Sequence, residues 1–148
     1  MHLQSVLLMN NYYQSKSPAL SFRISLQILL DKLCESLKAQ ALRNKSTIVS
    51  DVPGAINVII KNQKIIPIIT ELLDAVVVNS RNSQIHITAE RFRDIIILQI
   101  QDRNNYNGYA LGFSVHSLEQ EAADAGGYIQ FKDQQQKIAT ISLSFPNS

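Results

Sequence analysis

Leucines at positions 26, 29, 30, 33 and 37 recur at the three- and four-residue spacing of one helical face, and Ser25 just ahead of them can serve as an N-cap. The pattern predicts a helix from Ser25 to about Asn44. A second stripe, Ile65, Ile69, Leu72, Leu73, Val76 and Val77, predicts another helix. Pro67 restricts its start to Gln63 or Lys64, because proline is comfortable only in a first turn. Between the two helices, residues 47–50 and 57–60 are short β-branched or apolar runs on either side of Asp51-Val52-Pro53-Gly54, which reads as two strands joined by a tight connection. The period then shortens to two. Ile85, Ile87 and Ala89 alternate with His86 and Thr88, the mark of a half-buried strand. After a turn at residues 91–94, an apolar run leading to Asp102 predicts a central strand. A polar loop over 103–108 precedes a third helix over 113–125, carried by Phe113, Leu118, Ala122 and Ala125 and stopped by Gly126-Gly127. Residues 128–131 and 138–145 form a closing hairpin around the turn 133–136, and Pro146 ends it.

Helix, two strands, helix, two strands, helix, two strands is an α+β order. It predicts a two-layer α/β sandwich, with three helices on one face of a mixed, mostly antiparallel sheet. A chain of 148 residues, 45% of them hydrophobic, can bury one core. Ahead of the domain, taken as residues 21–148, an apolar patch (Leu3, Val6, Leu7, Leu8) passes into a polar stretch closed by Pro18, so residues 1–20 read as the end of a helix and a linker.

Charge removes some functions. Fourteen Lys and Arg against twelve Asp and Glu, scattered along the chain, make no basic stripe for a nucleic acid backbone. The lone Cys34 has no disulfide partner, and no Cys/His spacing matches a zinc site, so a reducing cytoplasm is the expected compartment. The early apolar run, residues 6–9, is far shorter than the ~20 residues of a membrane span, which makes a soluble chain the expectation.

The order of elements, together with three local segments, resembles the ATP-binding catalytic domain of two-component histidine kinases and its relatives among the gyrase, chaperone and mismatch-repair ATPases. Thr70-Glu71-Leu72-Leu73-Asp74-Ala75, with Ser80 further on and the strand Ile85-His86-Ile87 behind it, is similar to the family's first motif helix. Ile96, Leu98, Ile100 and Asp102 resemble the strand that ends in its Asp-x-Gly-x-Gly, and Ala110-Leu111-Gly112-Phe113 its Gly-x-Gly-Leu helix start. The tail from Gly126 to Pro146 matches its closing hairpin, so the resemblance covers residues 21–146.

The resemblance implies ATP and Mg²⁺. Asp102 would accept a hydrogen bond from the adenine amino group. Gly108 and Gly112 would let backbone approach the phosphates, although Asn104 and Tyr106 stand where the family has glycines. Glu71 corresponds to a general-base position. The metal-holding asparagine aligns with Ala75, and a phosphate-binding lysine with Val78; a register shifted by one residue puts Asp74 at the metal instead. Only residues 103–111 separate Asp102 from Gly112, little room for the family's mobile lid. His2, His86 and His116 are the histidines available as phosphoryl acceptors, and each reads more simply as a surface or structural residue. Two functions follow: a degenerate domain with weak or no turnover that acts as an interaction module, or an active kinase domain with an atypical metal site. The implied partners are a histidine kinase dimerisation domain, whose second helix residues 1–20 would then end, or a response regulator. A homodimer is a further expectation.

Overall fold

The computed structural model describes residues 22–60 and 64–147, so the expectations for residues 1–20 lie outside it. Its elements are β1 (Phe22–Ser25), α1 (Leu26–Arg43), β2 (Thr47–Asp51), β3 (Asn57–Ile60), α2 (Ile65–Val78), β4 (Gln84–Phe92), β5 (Ile95–Asp102), α3 (Gly108–His116), α4 (Glu119–Asp124), β6 (Tyr128–Lys132) and β7 (Ala139–Pro146).

The two long helices follow the leucine and isoleucine stripes. Ser25 caps α1, its hydroxyl accepting from the Ile28 N–H at 3.3 Å. Pro67 falls in the first turn of α2, where its missing N–H costs nothing. Five strands form the main sheet in the order β2-β4-β5-β7-β6; β2 runs parallel to β4 and every other neighbour is antiparallel. Alternate residues of the sheet (Ile85, Ile87, Ile96, Leu98, Ile100, Ile141, Leu143, Phe145) join the helix stripes in one core. The opposite face carries His86, Thr88, Gln99, Gln101, Thr140, Ser142 and Ser144, all only half-buried. This is the two-layer, mixed and mostly antiparallel α+β architecture that the element order predicts.

Three local expectations change. The runs at 47–50 and 57–60 do not pair with each other. β2 pairs with β4 across the α2 crossover, and β3 pairs with β1, a short strand with no signal of its own in the sequence. The turn between β4 and β5 tightens to Arg93-Asp94, with Arg93 at φ 56°. The third helical stretch begins at Gly108 rather than Phe113 and breaks into α3 and α4 around Ser117-Leu118. The Asn107 side chain explains the early start, since it accepts from the Ala110 N–H at 3.2 Å and so nucleates the helix one turn upstream.

Asn147 ties the small sheet to the large one. Its side chain accepts from the Ile59 N–H at 2.8 Å and donates to the Asn57 carbonyl at 3.0 Å, while its own N–H reaches the Asp94 carbonyl at 2.6 Å.

Candidate functional site

Asp102 closes the buried stripe of β5 and is only 2% exposed. Its two oxygens differ. Oδ1 accepts from the Ser83 hydroxyl in a short hydrogen bond and from the Asn104 N–H at 3.1 Å. Oδ2 is buried with no hydrogen-bond partner. A carboxylate oxygen shut away from water without a donor is costly, so it is a place where a ligand N–H would be welcome.

Asn104 does more than stand where the resemblance calls for glycine. Its side-chain amide donates to the carbonyls of Arg81 and Asn82 at 3.3 and 3.1 Å, binding the loop after β5 to the turn before β4. The Arg81 guanidinium lies 5.9 Å from the Tyr106 ring centroid, a second link between the same two loops.

Glu71 and Asp74 come together on the outer face of α2. They line a cleft of about 540 Å³ with Ala75, Val78 and Asn79 from the same helix and Ser114, Ser117, Leu118 and Glu121 from the α3–α4 side. Among the described residues no lysine or arginine lines it, and neither does Asp102. Partial burial, then the negative charges of Glu121 and Asp74, push the Glu71 carboxyl above its ordinary value of 4.5. Among the described residues no group of three or more His, Cys, Asp or Glu is arranged to hold a metal ion. The motif serine, Ser80, is fully buried and caps α2 by donating to the Val77 carbonyl at 2.7 Å.

Gly108 and Gly112 also come together, against the turn between β6 and β7. A Cβ on Gly108 would overlap the Gln134 carbonyl oxygen, and one on Gly112 would overlap the Gln134 side-chain amide. The Gln134 amide donates to the Gly108 carbonyl at 3.0 Å. No sequence signal pointed to Gln134, since a glutamine run in a hairpin turn looks like solvated filler. Ser83, in the polar turn before β4, likewise carries no signal in the sequence.

The histidines have local duties. The Arg103 guanidinium lies 2.8 Å from His86 Nδ1. His116 is exposed and pairs with Glu119 at 3.2 Å, a neighbour one turn along. Cys34, on α1, is half-buried; desolvation, with help from Asp31, pushes its thiol up to about 11, so it is a poor nucleophile. No helix among the described residues is long and apolar enough to cross a membrane.

No protein-family model matches the chain, and no curated protein matches it at significance. Solved structures do. The histidine kinase AdeS of Acinetobacter baumannii superposes with a TM-score of 0.71 at 14% identity, covering 99% of this chain and 76% of that one. Full-length ShkA in complex with AMPPNP matches with a TM-score of 0.67 at 13% identity, over 86% of this chain and 32% of that one. The histidine kinase ThkA in complex with the response regulator TrrA matches with a TM-score of 0.64 at 14% identity, over 99% and 47% respectively. At these identities the likeness is one of fold: the chain has the fold of histidine kinase catalytic domains.

Proposed function

We propose that this chain, built on the histidine kinase catalytic fold, serves two-component signalling as an interaction module, with nucleotide turnover weak or absent. The observation that carries this reading is the Glu71–Asp74 cleft: three carboxylates line it, with no lysine or arginine among its described lining residues. A triphosphate there would meet like charge, and each unit-charge pair at about 4 Å costs from ~1 kcal/mol in water to ~4 kcal/mol near a protein surface. Ala75 and Val78 line the same cleft and offer neither a metal ligand nor a cation. On this reading the cleft is a poor fit for a triphosphate.

The interaction half rests on exposed aromatics. Tyr106, Tyr109 and Phe113 are 68, 72 and 82% exposed, and Tyr109 and Phe113 stand four residues apart on one face of α3. Large aromatics left in water on one element mark a surface made to be covered. The partner we favour is a histidine-bearing dimerisation domain, with a response regulator second; ThkA is a matched kinase solved with such a regulator.

One observation favours the alternative, an active kinase domain with Asp74 or Glu71 at the metal and Gly108 and Gly112 framing the phosphates. Asp102 Oδ2 lacks a donor, as an adenine-binding carboxylate would in the absence of nucleotide. ShkA, with the same fold, was solved with AMPPNP.

Calorimetric titration with Mg-ATP, followed by a phosphotransfer assay on a dimerisation domain, separates the two. The module reading predicts no binding below about 1 mM and no phosphohistidine, and a Phe113→Ala change that weakens partner binding tenfold or more. Submillimolar affinity abolished by Asp102→Asn, with phosphate transferred, would establish the alternative.

A further inference from the structure

The turn between β6 and β7 is gripped in a way that a solvated hairpin tip is not. Asn105, in the loop after β5, donates its side-chain amide to the carbonyls of Gln134 at 2.7 Å and Gln136 at 2.9 Å. The Asn105 N–H donates to the Lys137 carbonyl at 2.7 Å. Gln134 is half-buried between exposed neighbours, and its amide donates to the Gly108 carbonyl on the first turn of α3. The Gln135 amide reaches the Tyr109 hydroxyl at 2.8 Å. Asp133 adopts φ 57°, the left-handed corner that lets the turn fold back toward α3.

These contacts converge on Asn105, in the short segment 103–107 that joins β5 to α3, and on the first turn of α3. We infer that the β6–β7 turn is a built-in bolt: it pins this segment and the start of α3 in one closed arrangement, so the segment does not open and close as a lid. The bolt deepens the interaction-module reading and rests on it for its use, because a segment held by its neighbours presents Tyr106 and Tyr109 already ordered. A partner then has less conformational freedom to remove on binding. Glycine at 108 follows from the same contact, since any Cβ there would strike the Gln134 carbonyl.

Hydrogen–deuterium exchange on the full chain tests the bolt directly. Amides of residues 103–112 should exchange slowly in the native protein. In Asn105→Ala, which loses two hydrogen bonds to the turn, they should exchange at least about tenfold faster while β4, β5 and β7 stay protected. Gln134→Ala, which keeps the carbonyl contact and loses one side-chain bond, should give a smaller acceleration and serves if Asn105→Ala fails to fold. Exchange over 103–112 that is already fast in the native chain, or that neither variant alters, would overturn the proposal. The two ideas fail separately. Submillimolar Mg-ATP binding with slow exchange over 103–112 would sink the module reading and leave the bolt; fast exchange with no nucleotide binding would sink the bolt alone.

Discussion

Asp102 and Glu71 are both carboxylates in the motif segments, yet their surroundings give them different characters. Asp102 is held from one side by Ser83 and Asn104 and keeps a second oxygen unmatched in the core. Glu71 is mostly in water, and its neighbours Glu121 and Asp74 crowd it with like charge. Its folded-state pKa is therefore raised. For a carboxyl raised on folding, the native state binds more protons than the unfolded chain just above 4.5, so its contribution is fully present below that value and is lost as pH rises through the folded-state pKa. Glu71→Gln, which removes the charge and keeps the shape, should raise the thermal midpoint at pH 7 by about 1–2 °C and leave it unchanged near pH 4. Equal shifts at both pH values, read by differential scanning calorimetry, would show that charge crowding is not the cause.

The α3 segment shows how an element depends on what packs against it. Its sequence, with glycine at 108 and 112, is a poor helix former, and a pattern reading places the start five residues too late. The Asn107 cap and the Gln134 contacts set the true start. The two glycines should then respond differently to alanine. At 108 the obstacle is a backbone carbonyl, which cannot swing aside, so Gly108→Ala should destabilise by roughly 2 kcal/mol or more. At 112 the obstacle is the far end of a glutamine side chain, which can move, and alanine within a helix regains up to ~1 kcal/mol over glycine. Gly112→Ala should accordingly fall within about 1 kcal/mol of the native chain. Urea unfolding of both variants checks the contrast, and equal losses would refute it. The other helices are legible because their apolar stripes are long: Leu26, Leu29, Leu30, Leu33 and Leu37 are all buried where the spacing puts them.

Across the whole molecule, two sheets share one core, and Asn147, next to last in the chain, joins them. Asn147→Ala would strip partners from the Ile59 N–H and the Asn57 carbonyl, at a cost of about 1–3 kcal/mol, and should loosen β1 and β3 before the five-stranded sheet. Exchange of the β1 and β3 amides at the native rate in that variant would contradict this role. The partners of β2 and β3 could not be read locally. Residues 47–51 and 57–60 sit close in the chain and look like a hairpin, but β2 lies parallel to β4 because α2 carries the chain across the sheet between them. Periodicity along the chain determined the two long helices and the strands β4, β5 and β7, the faces they bury, and that Asp102 ends a buried strand, since those properties depend on residues within a turn or two of one another; it misplaced Phe113, read as part of a helical apolar stripe and in fact 82% exposed. Tertiary structure alone decided that β2 meets β4 and β3 meets β1, that Glu71 and Asp74 share a cleft with Glu121, and that Gln134 sits on Gly108. These depend on contacts between segments from 26 to about 50 residues apart, and no local pattern encodes such distances.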